Sequence, residues 1–187
     1  MADGGSSMRI IAGSKKGMKL KAPGGTSVRP TADRVREALF NILGPLVGDA
    51  VFIDLYAGSG AVGIEALSRG ACQAVFVEIK RKNISLIRNN LAKSGFTERS
   101  FLLHQDVNRA LPFLAGKQFM ADLIFMDPPY LSKEIPTVIK TIERLSILSP
   151  DGLIIVEHSC SNGDWTTIFS NFRQKKYGQT CLTIIKP

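Results

Sequence analysis

The sequence predicts a doubly wound α/β domain with a mostly parallel sheet, an antiparallel C-terminal strand, and a small N-terminal β-hairpin and helix. Three observations support this fold class. From residue 51 onward, short apolar runs alternate with amphipathic helical patterns. A glycine-rich turn follows the first of these runs, and the last two strand-like segments, 172–177 and 180–185, are joined around Gly178. Such alternation is typical of helices packed on both faces of one open sheet.

The N-terminal segment has its own pattern. Residues 8–22 alternate between apolar and basic side chains around a turn-prone run, which predicts a β-hairpin with one basic face. Residues 22–27 are a predicted loop, rich in proline and glycine. Thr31 is the predicted N-cap of a helix that buries Val35 and Leu39 on one face and ends at Gly44.

Five strand–helix units follow. The predicted strands are 51–56, 74–77, 100–104, 123–126 and 153–157. The predicted helices are 62–68, 80–93, 107–114, 136–145 and a short one at 166–169. Residues 149–152 are a predicted turn before the fifth strand, and 172–177 and 180–185 a predicted antiparallel pair at one edge.

Length and composition fit one domain with an appendage. The chain has 187 residues, of which 44% are hydrophobic and 21% charged. We predict a disordered leader or cloning remnant at 1–7, a basic extension at 8–48 and the main α/β domain at 49–187. No run is apolar enough to span a membrane, and 1–7 does not resemble a signal peptide.

The cysteines are odd in number and widely spaced: Cys72, Cys160 and Cys181. This argues against a disulfide framework and against a Cys-x-x-Cys metal site. We therefore expect reduced, mostly buried thiols in a cytoplasmic protein.

The net charge of +8 is unevenly distributed. Residues 8–36 hold eight Lys or Arg and one acid, whereas the rest of the chain holds sixteen basic and fifteen acidic residues. Such clustering points to a polyanionic partner, although a solvated basic face without a partner stays open.

The turn after the first strand carries glycines at 58, 60 and 63, which match the G-x-G-x-x-G fingerprint. Nicotinamide, flavin and S-adenosylmethionine enzymes all use such loops. Asp54 precedes the glycines and favours the last of these cofactors, because a carboxylate there can meet an ammonium group. A pyrophosphate gains nothing from an acid at that place.

Acids also follow the next three strands. Glu78 closes the second strand at a spacing suited to ribose hydroxyls, and Asp106 closes the third, where a carboxylate can accept from an adenine amine. Asp127 ends the fourth. Each acid alone could be a loop cap or a solvated strand end, but four in succession favour one ligand-facing edge.

Asp127 opens the run Asp127-Pro128-Pro129-Tyr130. Two prolines stop the sheet, so a carboxylate, a stiff turn and an aromatic ring are presented together. A flat ring beside hydrogen-bond acceptors suits a planar base that carries an exocyclic amine. A plain surface turn is the alternative for this motif taken alone.

The glycine turn, the acid at the second strand end and D-P-P-Y resemble class I S-adenosylmethionine-dependent methyltransferases that act on nucleobase amines. More narrowly, the chain resembles the RsmD family of bacterial 16S ribosomal RNA guanine-N(2) methyltransferases. The segments that carry this resemblance are 8–13, 29–31, 33–37, 39–41, 57–60 and 65–69. The resemblance covers residues 8–187 and implies a Rossmann-like methyltransferase sheet.

The resemblance also implies roles. S-adenosylmethionine would lie against Asp54, Tyr56, Ala57, Gly58, Ser59, Gly60, Glu78, Ile79, Asp106 and Val107. The catalytic residues would be Asp127, Pro128, Pro129 and Tyr130, with the guanine splayed out onto Tyr130. Ribosomal RNA, in a small subunit or an assembly intermediate, would be held by Arg9, Lys15, Lys16, Lys19, Lys21, Arg29, Thr31, Arg34 and Arg36.

Other functions stay open on the sequence alone. The same D-P-P-Y would serve a DNA or RNA adenine methyltransferase. The fingerprint alone would fit a nicotinamide-dependent oxidoreductase, and the basic hairpin would fit a non-catalytic assembly factor. We expect no metal, because no ligand cluster is present, and we expect a monomer. His104 and His158 are predicted to be structural, with pocket lining as the alternative for His158.

Overall fold

The computed structural model describes residues 7–23, 30–129, 134–162 and 164–187. Its α-helices are α1 (Pro30–Leu43), α2 (Ala61–Ser68), α3 (Arg81–Ser94), α4 (Val107–Gly116) and α5 (Ile135–Arg144). Its strands are β1 (Ser7–Arg9), β2 (Lys19–Lys21), β3 (Val51–Leu55), β4 (Gln73–Glu78), β5 (Ser100–His104), β6 (Ala121–Met126), β7 (Leu148–Ser159), β8 (Phe172–Tyr177) and β9 (Thr180–Ile185). Short 3-10 helices lie at Gly44–Val47, Thr97–Arg99, Cys160–Asn162 and Asp164–Ile168.

Seven strands form one sheet in the order β5-β4-β3-β6-β7-β9-β8. The first five run parallel, and β9 and β8 are antiparallel to their neighbours. From β3, the middle of the five parallel strands, the chain winds outward through β4 to β5, and then returns to the other side of β3 at β6. Because strand order reverses between β3 and β6, the carboxyl ends of these strands border a crevice in which open α/β sheets bind ligands. The predicted fold class is confirmed.

Two apolar cores lie on the two faces of this sheet. Phe52, Phe76 and Phe125 belong to one core, which also contains residues of α1, α2 and α3. The other core packs β-strand residues against α4 and α5. Met8 and Leu20 join the first core, so the N-terminal hairpin packs on the same sheet as the helices.

The hairpin is held by a buried carboxylate. Glu65 of α2 accepts the backbone N–H groups of Ile11 at 2.7 Å and Ala12 at 2.9 Å. Gly13, with φ +83°, lies so close to α2 that a Cβ there would be 1.9 Å from the carbonyl oxygen of Ser68. A side chain at residue 13 would therefore push the hairpin away from α2.

Two element predictions need correction. Helix α1 begins at Pro30, so Thr31 lies in its first turn and is not the N-cap. Residues 149–152 do not precede β7 but lie inside it, as an irregular bulge between the pairs Ala121–Leu148 and Leu123–Leu153. The side chain of Asp122 accepts from the Ser149 hydroxyl at 3.1 Å, which fastens this bulge to β6.

The cysteine prediction is also wrong. Cys160 and Cys181 form a disulfide bond, with Cα atoms 5.0 Å apart, and Cys72 is exposed. The two bonded cysteines are 21 residues apart in sequence. Antiparallel pairing of β7 with β9 places His158 opposite Cys181 and so brings Cys160 alongside it. Cysteine spacing does not reveal such pairing.

The predicted leader, 1–7, lies outside the described residues except for the backbone of Ser7, which pairs with Lys21. Across the described ranges, no helix is both long enough and apolar enough to cross a membrane.

Candidate active site

A cavity of about 300 Å³ opens at the carboxyl edge of the sheet, between β4 and the end of β6. Glu78 enters it from one side and Asp127 from the other. Side chains alternate between the faces of a strand. Phe76 and Phe125 lie in the core beneath α2 and α3, so Glu78 and Asp127, each two residues further along the chain, point to that same face.

The glycine turn, residues 56–60 between β3 and α2, lies at this edge of the sheet. Tyr56 has φ +68°, an uncommon value for a residue with a bulky side chain, and Gly58 and Gly60 have φ +56° and +79°. Gly60 caps the amino end of α2. Gly63 serves packing instead, because a Cβ there would lie 2.4 Å from the Phe76 ring and would keep α2 off the sheet.

Asp54 lies beneath the turn and is 2% exposed. Its carboxylate accepts the Gly63 N–H at 3.1 Å, at the start of α2. Burial raises the pKa of Asp54 to about 8, against the opposing effect of that hydrogen bond, and the charges of Asp127 and Glu78 raise it further. The pKa of Asp54 therefore depends on the charges of Glu78 and Asp127, although Asp54 does not line the cavity itself.

Glu78 is held by three hydrogen bonds. One oxygen accepts from Gly58 N–H at 2.9 Å and from the Asn83 amide at 3.0 Å. The other accepts from Lys80 N–H at 2.7 Å. Since a carboxylate has about four acceptor positions, this second oxygen keeps capacity for a ligand hydroxyl. The contact to Gly58 also fixes the glycine turn against β4.

Asp106 is the N-cap of α4, and its side chain accepts the Asn108 N–H at 2.9 Å. It lines the cavity together with Val107 and Ile79, whose side chain is 58% exposed. The exposed apolar side chain of Ile79 beside the Asp106 carboxylate suits a flat heterocycle.

Tyr56 also lines this cavity. Burial, with a smaller effect from the charges of Glu134 and Asp106, raises the pKa of Tyr56 to about 12, so the Tyr56 hydroxyl stays neutral.

Asp127 lies at the rim, in contact with solvent, but the surrounding protein desolvates its carboxyl group and raises its pKa to about 6. Pro128 and Pro129 continue the wall of the cavity. Tyr130 lies outside the described residues, so its predicted stacking role stays a prediction.

Most predicted cofactor residues meet at this cavity. Those that line it are Tyr56, Gly58, Glu78, Ile79, Asp106 and Val107, and the prediction missed Val77, Lys80, Asn83 and Gln105. Ala57, Ser59 and Gly60 do not line it; Ala57 donates to the carbonyl of Val77 at 2.9 Å. Lys80 and Asn83 could have been found from their nearness in sequence to Glu78.

The basic hairpin exposes part of the predicted RNA surface. Met8 and Leu20 point inward and pair across the hairpin, and Arg9 pairs with Lys19 on the outer face. Like charges directly opposite on two strands repel each other, so this pair lowers the stability of the free hairpin. Lys16, Lys21 and Arg34 are also exposed, and Lys15 is half-buried.

Arg36 differs from its prediction. It is 5% exposed, donates to the Arg9 carbonyl at 2.7 Å and to Asp33 at 3.0 Å, and lies 4.0 Å from Glu65. This burial contradicts the expectation that Arg36 is available to hold RNA, because the hairpin folds over it. Arg29 and the side chain of Thr31 lie outside the described residues.

The histidines have local partners. The Nε2 atom of His104 lies 3.0 Å from the Ile79 carbonyl. His158 is buried between the Ser159 carbonyl and the Thr183 hydroxyl, each at 2.8 Å, and burial lowers its pKa. Neither lines the cavity. Within the described ranges, no group of three His, Cys, Asp or Glu residues could hold a metal ion.

The sheet order, the glycine turn and the acids at the carboxyl edge define a Rossmann-like methyltransferase fold. The family model described as "Conserved hypothetical protein 95" matches residues 8–186. The chain belongs to this family, and the predicted resemblance to RsmD is confirmed.

Similar proteins agree with this assignment. YlbH of Bacillus subtilis, provisionally named an rRNA methyltransferase, is 42% identical over 181 residues, which are 96% of this chain and 98% of YlbH. Ribosomal RNA small subunit methyltransferase D of Escherichia coli K12 is 38% identical over 184 residues, which are 97% and 90% of the two chains. The solved structure of yhhF from Escherichia coli, provisionally titled a methyltransferase, has a TM-score of 0.79 at 34% identity and covers 95% and 96% of the two chains.

Proposed function

We propose that this protein methylates the exocyclic 2-amino group of a specific guanine in 16S ribosomal RNA, with S-adenosylmethionine as donor and N(2)-methylguanosine as product. The observation that carries the proposal is the meeting of Glu78 and Asp127 in one cavity. Glu78 lies at a strand end whose position suits a nucleoside, and Asp127 opens a motif that suits an amine. The similarity to small subunit methyltransferase D supports the choice of RNA.

The residues present fit S-adenosylmethionine. The cavity of about 300 Å³ is at the lower end of the range for small-molecule sites. We assign Glu78 to the ribose hydroxyls, because one of its oxygens retains acceptor capacity. Asp106, Val107 and Ile79 would border the adenine. Asp54 would act on the methionine end through the turn that it holds.

When bound, S-adenosylmethionine supplies an electrophilic methyl group on a sulfonium centre. The chain itself prepares the guanine amine, whose lone pair is conjugated with the ring and weakly nucleophilic. Asp127 and the Pro128 carbonyl accept hydrogen bonds from the two amine hydrogens, which favours a pyramidal nitrogen as the transition state forms. With a pKa of about 6, Asp127 is mostly ionised at neutral pH and can take the proton that the nitrogen loses.

The N-terminal extension, residues 8–48, would hold the RNA. Arg9, Lys19 and Lys21 present cations on the outer side of the hairpin, and RNA phosphates would relieve the repulsion between Arg9 and Lys19. Lys15, Lys16 and Arg34 extend this surface. We remove Arg36 from it because it is buried. A substrate within a small subunit or an assembly intermediate would place the enzyme in the cytoplasm, and we expect it to act as a monomer.

The test is methyl transfer to small subunits that lack the modification. Purified protein and radiolabelled S-adenosylmethionine should yield labelled N(2)-methylguanosine at one position, mapped by primer extension. Asp127→Ala should abolish labelling, whereas Asp151→Asn, an exposed carboxylate at the other end of the sheet, should not. Label in adenine, or in duplex DNA in preference to ribosomal RNA, would overturn the proposal.

A further inference from the structure

Glu157 lies beside Asp127 at the carboxyl edge of the sheet. Met126, the last residue of β6, pairs with Val156 of β7, so Asp127, which follows β6 directly, neighbours Glu157. Ile155 belongs to the core beneath α1 and α2, and strand alternation directs Glu157 to that same face. A second carboxyl group therefore faces the place proposed for the target base.

Nothing in the described part of the chain satisfies this carboxyl group. Glu157 is half-buried, and no described residue gives it a hydrogen bond or an ion pair. Arg36 is the cation that acts on it and lowers its pKa, but the Nη2 atom of that guanidinium already donates to the Arg9 carbonyl and to Asp33. Burial raises the pKa of Glu157 to about 8, and the charge of Asp127 raises it further. A carboxyl group left in this condition is costly and marks a place for an incoming donor.

The Watson–Crick edge of guanine offers such a donor. Its N1–H lies next to the 2-amino group, so two donors point in nearly the same direction. Adjacent strands are about 4.8 Å apart, so carboxyl groups from β6 and β7 can converge on neighbouring donors. If Asp127 accepts a hydrogen bond from the amine, Glu157 is placed to accept one from N1–H. Adenine and 2,6-diaminopurine have an unprotonated N1, which repels the ionised carboxylate that N1–H stabilises. Because the pKa of Glu157 is about 8, its carboxyl group is largely protonated near neutral pH and can then donate to that N1, so it distinguishes the two bases above this pKa.

We propose that Glu157 is a specificity residue of the target-base pocket, which accepts a hydrogen bond from guanine N1–H and discriminates against purines that lack this hydrogen. The inference rests on the proposed guanine methylation and deepens it. It assigns to Glu157 the choice of base, and leaves to Asp127 the activation of the amine. The two carboxyl groups together match two adjacent donors.

The experiment compares two target bases at the mapped position. Small subunits are assembled with RNA that carries either guanine or 2,6-diaminopurine there, since both have the 2-amino group. At about pH 8.5, where Glu157 is mostly ionised, wild-type protein should use guanine with a kcat/KM about 10- to 100-fold higher, the range for leaving one buried polar group unpaired. A wild-type ratio near one overturns the inference even if every variant fails to fold.

Glu157→Gln should lower or invert this ratio, because its amide can donate to the bare N1 of 2,6-diaminopurine. A ratio unchanged from wild type overturns the inference. General damage to the fold lowers both rates together and leaves the ratio unchanged, so the ratio separates specificity from stability. Asp151→Asn, on the same strand at its other end, is the matched control and should keep the wild-type ratio. Loss of methyl transfer to both bases by wild-type protein would instead refute the proposed function.

Discussion

The side chain of Asn90 in α3 is joined to the backbone of Lys21 in the hairpin by two hydrogen bonds. The Lys21 N–H donates to Asn90 Oδ1 at 2.9 Å, and Asn90 Nδ2 donates to the Lys21 carbonyl at 3.0 Å. The same amide donates to the Ser59 carbonyl in the glycine turn, also at 3.0 Å. One fully buried side chain therefore links the proposed RNA surface to the proposed cofactor turn.

Asn90→Ala should destabilise the protein by about 2 to 4 kcal/mol, because it leaves buried backbone groups without partners. The change is measured by urea unfolding. Asn90→Asp should be worse, since a carboxylate would face two carbonyl oxygens. The neighbouring Asn89 is exposed, so Asn89→Ala should change stability by less than about 0.5 kcal/mol. Equal effects of the substitutions at 89 and 90 would contradict this account.

Removing charge from the outer face of the hairpin should weaken RNA binding. Each of Arg9→Ala and Lys19→Ala should reduce the salt dependence of the binding constant by about one released counterion. The measurement is RNA affinity at several salt concentrations. Lys140→Ala is the control, because Lys140 is exposed on α5, whose apolar side packs on the other sheet face. An unchanged salt slope in both hairpin variants would remove the hairpin from the RNA surface.

Substitutions of Glu78 and of Asp127 should affect different steps, cofactor binding for Glu78 and methyl transfer for Asp127. Glu78→Gln should weaken S-adenosylhomocysteine binding about tenfold, because a charge-assisted acceptor for the ribose becomes neutral. Asp127→Asn should change that binding by no more than a few-fold and lower the single-turnover rate constant of methyl transfer about 100-fold or more. Calorimetry and single-turnover methylation give the two quantities. Glu143→Gln, an exposed acid on α5, should alter neither. The reverse pattern would exchange the two assignments.

Asp54 should make the free protein less stable as pH rises. Its pKa is about 8 in the fold and 3.8 in the unfolded reference, so between these values the folded state binds more protons. The contribution of Asp54 to the free energy of unfolding is greatest below its unfolded pKa. It is lost as pH rises through the folded pKa, by on the order of 1 kcal/mol per pH unit. Urea midpoints at about pH 5 and about pH 8 test this direction.

Asp54→Asn should flatten that pH dependence. The amide oxygen can still accept from Gly63 N–H, and the neutral side chain avoids the cost of a buried charge. Asp127 and Glu157 also have raised pKa values, so a smaller slope with the same sign should remain. A variant with the full wild-type slope would show that Asp54 is not the main titrating group.

The disulfide between Cys160 and Cys181 predicts one reactive thiol in the oxidised protein, that of Cys72. Thiol titration should give one group without reductant and three after reduction and unfolding. Reduction should lower the free energy of unfolding by about 2 to 4 kcal/mol, because it releases a constraint on the unfolded chain. Cys72→Ser should leave that difference unchanged. Three thiols before reduction would contradict the bond.

The local patterns of the sequence were sufficient for much of the fold. Apolar runs, and for β8 and β9 the turn around Gly178, placed β5, β8 and β9 at their observed bounds. They located the other strands within a few residues, apart from the start of β7. The turn residues at 149–152 misled because a bulge and a connecting turn have the same local chemistry. Only pairing with β6 on both sides distinguishes them.

What the sequence determined by itself is the order of elements, the acids at successive strand ends and the glycine turn, because each depends on a few adjacent residues. Only the tertiary structure decided that Glu78 and Asp127 share a cavity while Asp54 lies beneath it. It also decided that Arg36 is covered by the hairpin and that Glu157 neighbours Asp127. These relationships depend on strand order and on packing between segments distant in sequence. They arise only when burial of two apolar cores fixes which segments become neighbours.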